Sequence, residues 1–251
     1  MLENPFDSPD VVDGIAKNLE PRWGLTLVSF VPVVAQLALL AIQDRIAARW
    51  QPQPPADPVL SLYSPDHMHT THYTLTRSSA WGPLRAAEFF TERYRAADLF
   101  SAINHVTSRT APLEVRLDRI TITHDRLGVI MLGECTDQDA CRAFMAGLNT
   151  ALADKFHISP RSADTDPARF HQRHLTLAYL RRSPGDYAAF CSDIKQEITF
   201  RPVSYTVKTV TLVHHRFRSL APPQEGSFTF PLGHPAELGA EAMRWGLHLA
   251  E

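Results

Sequence analysis

The sequence predicts an α+β protein built from two similar halves. First, a His-x-Thr-Leu pattern occurs twice, at His72–Leu75 and at His174–Leu177, and the two histidines are 174 − 72 = 102 positions apart. Second, predicted strands and helices surround the two copies in the same order. An internal repeat of this kind indicates that one structural unit occurs twice in the fold.

The periodicity of apolar residues places the predicted elements along the chain. In the first half they are a strand over 25–30, a helix over about 34–50, the first His-x-Thr strand, a helix over about 84–104, and strands over 113–123 and 128–132. In the second half they are a helix over about 138–156, the second His-x-Thr strand, a helix ending near 198, and strands over 203–216 and 226–232. Asp137 is a suitable N-cap for the helix that it precedes.

The chain of 251 residues is long enough for one large domain or for two lobes around a shared cleft. We expect a single bilobed domain over 25–232, a peripheral segment over 1–24 and a helical tail over 233–251. An uncharged run over 25–42 approaches the length of a membrane span. Because it contains Pro32 and several polar residues, we interpret it as a buried strand followed by an amphipathic helix.

The formal net charge of −2 gives no strong field that would recruit duplex DNA or an acidic membrane. A small substrate that carries a phosphate group remains compatible with this charge. The three cysteines, Cys135, Cys141 and Cys191, include no Cys-x-x-Cys pair. We therefore expect three unpaired, packed thiols, a reducing compartment and a cytoplasmic protein. We also expect a monomer.

The repeated pattern contains the groups needed for phosphodiester chemistry. Side chains alternate between the faces of a strand, so His72 is predicted to share a face with Thr74, and His174 with Thr176. Near pH 7 a neutral imidazole can accept a proton while a protonated one donates a proton to the leaving oxygen. Threonine hydroxyls can donate hydrogen bonds to phosphate oxygens. The pattern therefore predicts chemistry that requires no metal and no other cofactor.

These residues resemble the 2H phosphoesterase superfamily, which includes 2′,5′ RNA ligase-like proteins and cyclic phosphodiesterases. The resemblance depends on the motifs at 72–75 and 174–177 and on the order of elements over about 25–232. It implies two α+β lobes related by a pseudo-twofold axis. Antiparallel sheets flanked by helices would line a central cleft, with one His-x-Thr motif from each lobe facing inward.

The resemblance also implies site residues and substrates. His72 and His174 would be the catalytic acid and base, and Thr74 and Thr176 would bind the phosphate. The substrate would be a small nucleotide or an RNA end, with a 2′,3′-cyclic phosphate or a 2′,5′ linkage, and RNA ligase activity is a further expectation. Additional substrate contacts are expected among neighbouring residues, namely Arg77, Tyr179, Tyr63, Arg173 and Arg181.

Two other interpretations remain open. His67, His69 and His72 have the His-x-His-x-x-His spacing of metallo-β-lactamase-like hydrolases, but Thr71 stands where those proteins place an aspartate. We expect His67 and His69 to precede the strand, and therefore exclude them from the two-histidine site. The second interpretation is a non-catalytic module that binds nucleotides or RNA on the same scaffold.

Overall fold

The computed structural model describes residues 6, 22–51, 58–78, 96–123, 127–154, 167–217 and 224–238. The strands are β1 (Arg22–Phe30), β2 (Leu60–Leu62), β3 (His69–Ser78), β4 (Leu113–Ile122), β5 (Gly128–Cys135), β6 (Gln172–Leu180), β7 (Val203–Val207), β8 (Thr209–Phe217) and β9 (Gln224–Pro231). The helices are α1 (Val33–Trp50), α2 (Ala96–Thr107), α3 (Gln138–Asn149) and α4 (Tyr187–Gln196). Most of the predicted segment 1–24 and of the tail 233–251 lies outside the described residues.

The described strands form one curled antiparallel sheet in the order β7-β4-β5-β6-β3-β1-β8-β9, and β2 pairs with β6. The two strands that carry the His-x-Thr motifs, β3 and β6, are neighbours at the centre of this order. They meet at one residue pair, Thr70 opposite Leu175. Each contributes the innermost strand of a four-stranded half, so the predicted α+β architecture with two antiparallel halves is confirmed.

One predicted strand is wrong. The alternating segment over 203–216 is two strands, because β7 pairs with β4 at one end of the sheet and β8 pairs with β1 in the other half. Two consecutive exposed residues, Lys208 and Thr209, mark the break. In β7 alternate side chains are buried, whereas residues 210–213 of β8 are all buried. The apolar pattern therefore continues on either side of the break and hides the change of partner.

The sheet has two distinct faces. The helix face carries Leu175 and is covered by α2 and α3; for example, the Phe100 ring in α2 lies 4.9 Å from the Phe228 ring in β9. The open face carries the opposite set of side chains, and in β5 and β6 these include the exposed residues Glu134, Gln172 and His174. This difference in exposure follows from the alternation of side chains along each strand.

Helix α1 begins within one residue of its predicted start, whereas the start predicted near residue 84 for the second helix lies outside the described residues. The side chain of Asp137 accepts a hydrogen bond from the Ala140 amide at 2.9 Å, which confirms the predicted N-cap of α3. Asp186 caps α4 in the same way through the Ala189 amide. The helix predicted over 138–156 ends as an α-helix at Asn149 and continues as a π-helical turn to Asp154. None of the described helices has the length and apolar character needed to cross a membrane.

The expectation of three unpaired cysteines is wrong. A disulfide joins Cys135 at the end of β5 to Cys141 in α3, because the short β5–α3 connection brings their Cα atoms within 6.3 Å. Cys191 is a free, buried cysteine, as predicted. The cysteine count therefore no longer supports a reducing compartment.

Candidate active site

The second predicted motif lies on the open face of β6. His174 is exposed and Thr176 is half-buried, whereas Leu175 and Leu177 are fully buried on the helix side. His174 lies opposite Leu132 of β5, and Thr176 lies opposite Ile130. The predicted sharing of one face by His174 and Thr176 is therefore observed, and both side chains lie where a substrate can reach them.

The first predicted motif is interrupted by a β-bulge. In the β1–β3 ladder, Val28 lies opposite Thr71 and Leu27 lies opposite Tyr73, so His72 is an extra residue without a partner of its own. A bulge changes the face on which the extra side chain lies. His72 consequently lies on the helix face, where it is 2% exposed and its ring is 5.5 Å from the ring of Phe144 in α3.

The hydrogen bonds of His72 fix its protonation. The Ser29 hydroxyl donates its proton to the Thr209 carbonyl at 2.8 Å, and its oxygen lies 2.7 Å from Nε2 of His72. Because that proton is already used, the Ser29 oxygen must accept, and Nε2 of His72 must carry the hydrogen. Burial, followed by the charges of Arg173 and His69, holds the pKa of His72 well below its usual value. His72 is therefore a neutral histidine that joins β3 to β1 and β8.

The predicted shared face of His72 and Thr74 is wrong. Thr74 lies opposite Thr26 and stays on the open side of the ladder, but it is only 9% exposed. His72 and His174 thus lie on opposite faces of the sheet. The physical reason is the extra residue in β3, which a strict period of two cannot represent.

A different histidine lies on the open face beside His174. The expectation that His69 precedes the strand is wrong, because β3 begins at His69. Thr70 pairs with Leu175. Because the two strands are antiparallel, the residue before Thr70 lies opposite the residue after Leu175, and the reverse also holds. His69 is therefore opposite Thr176, and Thr71 is opposite His174. The open face at the centre of the sheet therefore combines two imidazoles with two threonines.

The sequence contained a signal for this arrangement. His69-Thr70-Thr71 also reads His-x-Thr, so the pattern occurs in two overlapping frames, at 69–71 and 72–74. Only the second frame continues with a leucine as the downstream copy does. The sequence alone favoured that frame, and the register of β3 against β6 favours the other.

The pKa values of both open-face histidines are lowered. Burial lowers the pKa of His174, and among charged groups His69 contributes most to that shift, followed by Arg173. The side chain of His174 is exposed at its surface, so only the direction of this lowering bears on the chemistry of the site. Burial also lowers the pKa of His69, although its hydrogen bond to the His67 carbonyl acts in the opposite direction.

Aromatic side chains border this site. The Tyr63 ring lies 6.2 Å from the His69 ring and 6.1 Å from the Tyr179 ring. β6 also contains a register shift, because Ile130 lies opposite Thr176 but Val129 lies opposite Ala178, which leaves Leu177 without a partner in β5. This extra residue places Tyr179 on the open face. Of the two predicted tyrosine contacts, Tyr63 therefore lies beside His69, and Tyr179 lies beside Tyr63.

The predicted arginine contacts have different outcomes. Arg173 is 3% exposed on the helix face and donates hydrogen bonds to the Phe170 and Gln172 carbonyls, so it does not reach the open face. Burial lowers the pKa of Arg173 to about 10. Arg181 is exposed just after β6. The side chain of Arg77 lies outside the described residues.

The three-histidine metal site of the alternative interpretation is not formed. His72 lies on the helix face and is bonded to Ser29, whereas His69 lies on the open face. Within the described ranges, His, Cys, Asp and Glu side chains form no group of three that could hold a metal ion. The spacing of His67, His69 and His72 therefore does not correspond to a shared position in space.

The fold and the open face define an α+β protein with a curled antiparallel sheet and a histidine-containing centre. The structure is similar to TT0787 of Thermus thermophilus, with a TM-score of 0.50 and 16% sequence identity over 84% of this chain and 98% of that chain. This likeness shows the fold, which is the predicted α+β architecture with two antiparallel halves. No protein-family model and no curated protein matches the sequence.

Two further solved structures are similar at lower TM-scores. E. coli LigT in apo form has a TM-score of 0.45 and 14% identity, over 84% of this chain and 98% of that chain. Usb1 of Kluyveromyces marxianus, solved with uridine monophosphate, has a TM-score of 0.40 and 8% identity, over 86% of this chain and 99% of that chain.

Proposed function

We propose that the protein is a metal-independent phosphodiesterase of the 2H type that acts on a small nucleotide or on an RNA end. The observation that carries the proposal is the meeting of β3 and β6 at the centre of the sheet. There the open face presents imidazole and hydroxyl groups from both strands, with His174 and Thr176 supplied by β6. The likeness in fold to TT0787 supports the same class of architecture.

The proposed chemistry needs two proton-transfer groups and donors for the phosphate oxygens. One neutral imidazole accepts the proton of the attacking water while the water oxygen bonds to phosphorus. The other imidazole, protonated, donates its proton as the bond from phosphorus to the leaving oxygen breaks. His174 is one of this pair, and the Thr176 hydroxyl donates to a non-bridging oxygen as charge develops there.

The proposed substrate is a phosphodiester attached to a nucleobase, such as a 2′,3′-cyclic phosphate or a 2′,5′ linkage. Tyr63 and Tyr179 lie close to the histidine site and can offer aromatic surface to a base. Ligation of RNA ends would use the hydroxyl of a second RNA end in place of water: its oxygen bonds to phosphorus of a 2′,3′-cyclic phosphate as the bond from phosphorus to one ring oxygen breaks. We propose action inside the cytoplasm as a monomer, with no duplex DNA or membrane as partner.

A substrate panel tests the proposal. Cyclic nucleotides and 2′,5′- and 3′,5′-linked dinucleotides would be incubated with wild type and with His174→Ala, both in EDTA. We expect turnover of at least one substrate by wild type in EDTA, and a loss of about 10²–10⁴-fold in His174→Ala. Wild-type rates in a folded His174→Ala would contradict the proposal. Tight binding of a nucleotide without turnover at any pH would instead support the non-catalytic binding module.

A further inference from the structure

We propose that His69, and not His72, supplies the second catalytic imidazole beside His174, and that Thr71 and Thr176 are the paired hydroxyl donors. This inference rests on the proposed function and names the residues of its site. It reassigns the first motif by three positions along β3. The evidence is the strand register and the hydrogen bonds of the two histidines, and the environment of the open face is consistent with it.

The register supplies the first argument. Residues directly opposite in antiparallel strands have side chains on the same face, with Cβ atoms about 4.5–5.5 Å apart. The Thr70–Leu175 pair therefore places His69 beside Thr176 and Thr71 beside His174 on the open face. This arrangement is symmetric, because each histidine lies across from the threonine of the other motif. His72 is separated from it by the thickness of the sheet.

The hydrogen bonds supply the second argument. Nδ1 of His69 lies 2.7 Å from the His67 carbonyl oxygen. A carbonyl can only accept, so Nδ1 carries the hydrogen, and in the neutral ring Nε2 is left as the basic nitrogen. In His72 the assignment is reversed, because Nε2 carries the hydrogen toward Ser29. The backbone therefore orients His69 as a proton acceptor, and the sheet holds His72 as a structural donor.

The environment supplies the third argument. A positive charge on His69 contributes to lowering the pKa of His174, and the pKa of His69 is also lowered. Both imidazoles therefore favour the neutral form in the free protein. An anionic phosphodiester bound between them would favour a proton on one of the rings. The complex would then hold one neutral and one protonated imidazole, which is the state that acid/base catalysis requires. The ring of Tyr63, 6.2 Å from His69, closes the same side of the site.

Matched histidine variants test this assignment, since His69 and His72 are three residues apart in one strand. With the substrate found in the panel, we expect kcat of His69→Ala to fall by about 10²–10⁴-fold. We expect kcat of His72→Gln to stay of the same order as wild type, because the glutamine amide can still donate to the Ser29 oxygen. Thermal unfolding and circular dichroism would establish that each variant is folded.

Two further readouts separate catalysis from structure. Added imidazole should restore part of the activity of His69→Ala, and the pH profile of kcat/KM in that variant should lose one of its two limbs. A folded His69→Ala with wild-type kcat would overturn the assignment, as would an inactive one that shows neither effect. If His72→Gln does not fold, these His69→Ala readouts decide alone.

The outcome for His174→Ala distinguishes this inference from the proposed function. An inactive His174→Ala, an active His69→Ala and a folded but inactive His72→Gln would overturn the reassignment and leave the phosphodiesterase proposal intact. Full activity in His174→Ala would contradict the phosphodiesterase proposal itself.

Discussion

His72 and His174 begin the same four-residue pattern, yet they lie in opposite environments. His72 is 2% exposed on the helix face, bonded to Ser29 and packed against Phe144. His174 is exposed on the open face of the neighbouring strand. The difference arises from one extra residue in β3. The same residue motif therefore predicts the same chemistry only when the strand register is also known.

After the histidine variants, the threonine variants are expected to lower kcat the most. Replacing Thr176 by valine removes one phosphate donor and keeps the shape of the side chain. We expect kcat to fall by about 10–10³-fold. Thr74→Val should reduce kcat by less than Thr176→Val, because Thr74 is nearly buried beside Thr26. Steady-state kinetics of both variants would check this order. A larger effect of Thr74→Val would indicate that His72 and Thr74, and not His69 and Thr71, form the first half of the site.

Removal of an aromatic ring tests where the base binds. Stacking of a base on an aromatic side chain contributes about 1–3 kcal/mol, so Tyr63→Ala should weaken binding of a nucleotide by about 5–150-fold. Tyr63→Phe keeps the ring and serves as the matched control. Calorimetric titration with a nucleoside monophosphate would measure both. Equal affinity for the alanine and phenylalanine variants would place the base elsewhere.

The buried histidine should make the fold sensitive to acid. The pKa of His72 is lowered in the folded state, so above about pH 6.5 His72 is neutral in both states and contributes no pH dependence. As the pH falls below that value, the unfolded chain binds the proton first and stability is lost, by up to about 1.4 kcal/mol per pH unit for one group. In urea unfolding, His72→Gln should lose less stability than wild type between pH 7 and 5. An identical pH dependence would contradict the buried placement.

The smallest predicted effect is the position of the pH optimum. The pKa values of both His69 and His174 are lowered, mainly by burial. A two-histidine site is active between its two macroscopic pKa values. The optimum of kcat/KM is therefore expected below about pH 6.5, the unperturbed histidine value. A profile centred well above that pH would show that the open-face histidines are not the titrating pair.

Much of the architecture could be predicted from the sequence. Periods of 2 and 3.6 in the apolar residues located most of the strands and helices, and the predicted cap at Asp137 fixed the start of α3. The repeated motif correctly indicated two halves. The break at Lys208 and the Cys135–Cys141 disulfide were missed, because both depend on which distant elements become neighbours.

The site was predicted in part for a related reason. His174, Thr176, Tyr63 and Tyr179 were named from the sequence, and the structure places them on or beside the open face. His69 was excluded because the start of β3 was expected later than it is. The position of Tyr179 and that of His72 both depend on register shifts, in β6 and in β3 respectively. A bulge adds one residue to a strand without any change in composition, so periodicity alone does not reveal it.

The most direct test is an NMR titration of the histidine rings with and without inorganic phosphate, with signals assigned from His→Gln variants. We expect His69 and His174 to titrate below pH 6.5, and phosphate to raise the pKa of one or both. We expect His72 to remain neutral where they titrate and not to respond to phosphate. A phosphate-dependent titration of His72, together with an unresponsive His69, would contradict the assignment of His69 to the site.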